Sequence, residues 1–144
     1  AYLERYRQLR AEGRPLDGRW HTSLNILAMA ACYSPDPGEP YGIALPFDLE
    51  TGALRAEVWE RWLALDPVRV AARAVEPLRT LRLLYVDCGR QDEFHLLWGA
   101  RQLHRQLQQL NVPHIYEEFE GGHSRTSHRY DVSLPALYRA LAQS

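Results

Sequence analysis

The chain contains no lysine. All 17 of its cationic side chains are arginine, and against 18 acids they leave a formal net charge of -1. The arginines are scattered along the 144 residues. There is thus no basic stripe of the kind that tracks a phosphate backbone, which excludes a dedicated nucleic-acid binder. Cysteine is almost as scarce. Cys32 and Cys88 are the full set, too few for a disulfide framework and unlike a zinc site. The longest apolar run, Ile26 to Cys32, falls far short of the roughly 20 residues that cross a bilayer, so no membrane partner is expected. The opening Ala1-Tyr2-Leu3-Glu4-Arg5 reads as an amphipathic helix and not as an apolar leader. The chain does not begin with Met, so this end does not decide export; the expected location is cytoplasmic.

What is present reads as an ordinary globular chain, 46% apolar and 24% charged. Tyr2, Leu3, Tyr6 and Leu9 share one face of a short surface helix that stops at Gly13. Thr22 to Cys32 is apolar and rich in small residues, and is expected to be buried. From Tyr33 to Gly52 the chain holds four prolines and three glycines, a composition that forbids regular structure and marks a long loop. Glu57 to Leu65 returns to helical spacing, with Val58, Trp62 and Leu65 on one side. Asp66-Pro67 then caps a short helix ending near Pro77.

The second half is more regular. Leu81 to Cys88 centres on Leu83-Leu84-Tyr85-Val86, an apolar run suited to a parallel strand covered on both faces. Leu96, Ala100, Leu103, Leu107 and Leu110 repeat at helical spacing. Pro113 to Phe119 is a second strand, closed by Gly121-Gly122, and a last helix from about Asp131 to Ala142 is expected to bury Val132, Leu134, Leu137, Tyr138 and Leu141. Strand, helix, strand, helix in this order predicts a right-handed βαβ unit with a trailing helix. Two parallel strands cannot cover both their faces alone, so further strands are expected from polypeptide outside this chain.

Two loops leave the carboxyl ends of the predicted strands, the edge at which open α/β sheets bind ligands. The first contains Gly89-Arg90-Gln91-Asp92-Glu93, the second Gly121-Gly122-His123-Ser124. An acid after one strand and a histidine after the next match the order of acid and histidine in the α/β-hydrolase triad. In that triad the acid holds the imidazole in one tautomer, and the imidazole takes the serine proton. Read blandly, Asp92 is an exposed acid that starts a helix, where its charge favours the positive end of the dipole. Asp87 and Glu93 are rival acids; Asp87 is expected to make structural hydrogen bonds and Glu93 to face the helix. His128 invites a two-histidine metal reading, but no His-Glu-x-x-His helix accompanies it; no metal or cofactor is expected. His21, His95, His104 and His114 read as surface or helix-face residues, and Cys88 as a small buried one. Ser124 is expected to point away from its neighbour His123. Trp59, Trp62, Tyr33 and Tyr41 read as core or as the lining of an acyl pocket.

These residues resemble the esterases of the α/β-hydrolase superfamily, the group that includes S-formylglutathione hydrolase and enterochelin esterase. The resemblance runs from about Tyr33 to Leu141 and is strongest in YSPDP, LALDPV, LLYVDCGRQDEF and YEEFEGGHS. It implies the C-terminal half of a doubly wound, mostly parallel α/β sheet with a lid-like insertion. Residues 1–32 would be entry helices, 33–80 the lid, and 81–144 the strand-helix-strand-helix unit, all within one domain. It implies a carboxylic-ester hydrolase acting through an acyl-serine, with Asp92 as the acid, His123 as the base and a small ester as substrate. The Gly-x-Ser-x-Gly elbow of that family is absent from all 144 residues, as are its strand and the oxyanion-hole loop. The expectation is therefore that the chain needs an N-terminal half to work and is inactive alone. Assembly into a homo-oligomer stays open. The alternative is a non-catalytic, hydrolase-like binding module.

Overall fold

The computed structural model describes residues 2–15 and 18–142, without the side chains of Leu3 and Arg19. The expectations for Ala1 and for the Leu3 side chain lie outside the described residues. The chain forms two compact units, Ala1–Leu65 and Asp66–Ser144.

The first unit begins with helices α1 (Tyr2–Ala11) and α2 (Gly18–Tyr33). The apolar stretch within α2 is less buried than its composition suggests. Of its residues only Ala30 is fully enclosed, while Ile26 and Met29 pack partly against the core, because only one face of the helix meets the rest of its unit. The Pro- and Gly-rich segment is mostly irregular, as expected. It nonetheless holds one turn of 3-10 helix, Pro40–Gly42, and two isolated antiparallel bridges, Pro35–Ile43 and Phe47–Leu54. Helix α3 (Ala56–Leu63) buries Val58 and Trp62, whereas Leu65 lies beyond its end and is exposed. Trp62 donates its indole N–H to the buried Ser34 hydroxyl at 2.7 Å, and that hydroxyl donates to the Ala44 carbonyl at 2.6 Å. Trp62 is thus core. Tyr33 packs edge-on against it, Trp59 is tilted beside it, and Tyr41 is exposed.

The second unit opens with α4 (Pro67–Arg73), whose N-terminus is capped by Asp66 accepting from the Val68 amide at 2.7 Å. Proline at the first helical position and an Asp cap before it both suit a helix start. After α5 (Val75–Arg79) comes β1 (Tyr85–Gly89), then α6 (Leu96–Gln109), then β2 (Ile115–Phe119). β1 starts two residues later than the apolar run, because pairing with β2 sets its limits: the two run parallel, from Tyr85 beside Ile115 to Gly89 beside Phe119. Leu84 still accepts from the Ile115 amide, at 2.9 Å. Leu107 and Val112 pack with Ala71, and Val75, Leu78, Leu84 and Leu103 lean on that core. The core thus sits on one side of the sheet, beneath α6 and α4.

The register places Asp87 directly beside Glu117. Like charges facing each other across a strand pair repel, and Arg129, from a 3-10 turn at Ser127–Arg129, lies between them. It donates to Asp87 at 2.8 Å and to the Tyr85 hydroxyl at 3.0 Å, and is ion-paired with Glu117. Asp87 thus makes the structural bonds expected of it. On the other face Glu118 is held by Arg101, through Nε at 2.6 Å and a terminal nitrogen at 2.8 Å.

One expectation fails here, and a second holds only in that His104 lies on a face of α6. Helix α7 (Tyr130–Ala142) has no buried residue; Val132, Leu134, Tyr138 and Leu141 are exposed, because a sheet of two strands is too narrow to cover it. His104 and His114 are not simple surface residues. His114 Nδ1 lies 2.8 Å from the Val112 carbonyl, and its Nε2 lies 2.8 Å from His104 Nδ1. A carbonyl only accepts, so the proton on His114 sits on Nδ1 and its Nε2 accepts from His104. His104 also stacks on Tyr116 at 4.4 Å.

Candidate active site

Asp92 and His123 follow the carboxyl ends of β1 and β2, and the parallel register brings both turns to the same edge of the sheet. The turns are joined through the backbone: the Arg90 amide donates to the Phe119 carbonyl and the Gln91 amide to the Gly121 carbonyl, both at 2.9 Å. Such close approach requires the glycines. A Cβ on Gly89 would lie 2.4 Å from the Gly121 oxygen, and Gly121 itself has φ of 142°, which side chains disfavour.

The Asp92 side chain is 4% exposed, so the exposed-acid reading is set aside. Its Oδ1 accepts from the Phe94 amide at 2.9 Å and the Leu96 amide at 3.3 Å, an Asx turn leading into α6. Its Oδ2 faces His123 Nδ1 at 3.1 Å. Burial alone would raise the Asp92 carboxyl, but the Leu96 amide, the His123 ring and the Phe94 amide outweigh it and hold it below the ordinary value. The carboxylate is therefore ionised at neutral pH and accepts from an Nδ1–H.

The His123 ring is 48% exposed and rests edge-on against Phe94, centroids 4.8 Å apart. With Nδ1 engaged, Nε2 is the ring atom left to exchange a proton, and among the described residues no hydrogen bond reaches it. Glu93 does not face the helix as expected. It precedes α6, and its Oε2 accepts from the His123 backbone amide at 2.9 Å.

Asp92 and His123 line an open cleft of about 960 Å³ within this unit. All of β1 lines it as well, with Leu96 and Leu103 from α6 and Leu137 from α7. Among the described residues β1 pairs with β2 alone, so its other edge carries no strand. No group of three or more His, Cys, Asp or Glu among the described residues could hold a metal ion. His128 Nδ1 lies 3.2 Å from the Arg125 carbonyl, and its ring lies edge-on to Phe119. Cys88 is buried, and burial raises its thiol above the ordinary value, the opposite of what a nucleophile needs. Ser124 is exposed. Among the described residues no helix is long and apolar enough to cross a membrane.

No family model matches the chain, and no curated protein matches it. Among solved structures the chain is similar to a ferulic acid esterase, with 23% identity and a TM-score of 0.38 over 68% of this chain. The match spans 35% of that protein's length.

Proposed function

We propose that this chain is the C-terminal half of an α/β-hydrolase and supplies the acid and base of a serine carboxylic-ester hydrolase. The observation that carries the reading is the buried Asp92 carboxylate bonded to His123 Nδ1, with Nε2 unengaged among the described residues. That is the arrangement in which an imidazole accepts a proton from a serine hydroxyl and returns it to a leaving alcohol. Asp92 fixes the tautomer and stabilises the imidazolium, and an acyl-serine forms and is then hydrolysed.

The serine comes from polypeptide outside these residues. Its supporting strands would lie along the open edge of β1, in the cleft that also reaches His123. A small ester is the substrate. The test is hydrolysis of an aryl ester by the whole gene product, with and without His123→Ala. Loss of nearly all turnover is expected, and full turnover in the variant would sink the proposal.

A second reading has its own observation, the missing Gly-x-Ser-x-Gly: a hydrolase-like module that binds without turning over. A serine-reactive phosphonate separates the two, labelling the whole gene product in the first case and not in the second.

A further inference from the structure

The two acids that follow β1 divide one histidine between them. Asp92 takes the ring nitrogen, and the next residue, Glu93, takes the backbone N–H of the same His123 at 2.9 Å. The carboxylate of Glu93 also lies over the preceding residue, where a Cβ on Gly122 would come within 2.5 Å of Oε2. A Gly-Gly pair just before a functional side chain is the least restrained backbone a chain can offer. Something must hold it if the ring is to stay on Asp92. On one side the Gln91 amide clamps the Gly121 carbonyl. On the other, the His123 amide donates to the Glu93 carboxylate.

We infer that Glu93 is a positioning residue for His123, fixing the backbone so that the ring meets Asp92 and Nε2 stays outward; the inference rests on the hydrolase reading for its functional consequence. Its group never touches the substrate and does not compete with Asp92 for the ring. Instead it makes a charge-assisted hydrogen bond to a main-chain donor, about twice the strength of a neutral one. Its carboxyl is held below the ordinary value, first by that His123 amide and then by its own, with the His123 ring assisting and the Asp92 charge opposing. It therefore stays ionised at neutral pH.

The test uses the 144-residue chain, labelled with nitrogen-15. In the parent chain the His123 amide resonance should move as pH falls through the range where Glu93 takes up its proton. Glu93→Gln should remove that part of the titration yet keep the amide protected, because a side-chain amide oxygen still accepts. Glu93→Ala should remove both and speed exchange of the His123 amide about tenfold, the worth of one hydrogen bond. An amide that titrates and exchanges in Glu93→Ala as in the parent overturns the inference.

The functional arm uses the whole gene product. Glu93→Ala should lower kcat on an aryl ester about tenfold or more with KM unchanged, and Glu93→Gln should recover most of it. Parental kcat in Glu93→Ala, in a protein that His123→Ala inactivates, overturns the positioning role. If His123→Ala itself keeps full turnover, it is the hydrolase reading that falls, and the amide data still decide what Glu93 does.

Discussion

Gly89 and Gly121 meet backbone to backbone: a methyl group at position 89 would sit 2.4 Å from the Gly121 carbonyl oxygen and 2.7 Å from that of Gly122. The Gly121 oxygen is not free to retreat, since it already accepts from the Gln91 amide. At Gly122 the obstacle is instead the end of the Glu93 side chain, which can swing aside. Gly89→Ala should therefore destabilise the chain by roughly 1–3 kcal/mol, the usual cost of overpacking, and Gly122→Ala by clearly less. Urea denaturation of both variants checks the order. Equal midpoints would mean that the two turns are not held as tightly as their geometry requires.

Asp92 serves two structures with two oxygens, so its substitutions should separate stability from chemistry. Asp92→Asn keeps an oxygen for the Phe94 and Leu96 amides and should leave thermal stability within about 1 kcal/mol. In the whole gene product it should still lose activity by about 10⁴-fold, as when a triad acid is replaced by its amide and the wrong tautomer is favoured. Asp92→Ala should lose both. Parental activity in Asp92→Asn would make the residue a turn-former only.

Arg129 neutralises two acids that face each other, and its removal should be felt in the fold. Arg129→Met leaves Asp87 and Glu117 side by side with no counter-charge. The expected cost is about 1.5–3 kcal/mol, that of hydrogen bonds to charged groups, because the cluster is only partly buried. Arg129→Lys should restore only part of it, since one ammonium cannot reproduce the fork. The Glu117 carboxyl is held below its ordinary value by the Tyr85 hydroxyl and then by Arg129. The stability it contributes is therefore present above the unfolded-state value and is lost as pH falls through the lower, folded one. The acid limb of a stability-pH curve should flatten in Arg129→Met, and an unchanged limb would refute the linkage.

Two tyrosines should resist alkali. Tyr85 and Tyr116 are both pushed up to about 12, by burial first and then by hydrogen bonds to Glu117 and Glu118. A group raised in the folded state stabilises fully below its unfolded value near 10 and loses that contribution as pH climbs toward the folded one. Absorbance at the tyrosinate band should show these two ionising late, together with the onset of alkaline unfolding. In Tyr85→Phe one of the late protons should vanish. If every tyrosine ionises near 10 while the fold persists, the buried bonds are absent.

Sequence pattern carried the local part of this architecture. The apolar repeat from Leu96 to Leu110 marked a helix within a residue or so of its ends, and Pro113 to Phe119 marked β2. Asp92 and His123 were legible because the turns that hold them punctuate strands. What stayed hidden depends on partners far along the chain. Arg129 finds Asp87 at a separation of 42 residues, and no local spacing announces that. His104 and His114 meet only because α6 folds back beside β2. Glu93 looked like a helix residue because it adjoins one, yet the helix begins at Leu96, leaving its side chain free to turn toward His123. For α7 the helix from about Asp131 to Ala142 was legible, and its burial failed for want of a wider sheet.

The alternation of Glu117 and Glu118 gives the strand pair a way to verify its own alignment. The two acids point to opposite faces, the first pairing with Arg129 and the second with Arg101 and Arg90. Sliding β2 by a single position, so that Tyr116 faces Asp87, would turn Glu117 to the face away from Arg129, because one step reverses every side chain. Glu117 would then lose both its partners, Arg129 and the Tyr85 hydroxyl. A slip in that direction thus carries an electrostatic penalty that apolar residues, interchangeable at neighbouring positions, could not impose.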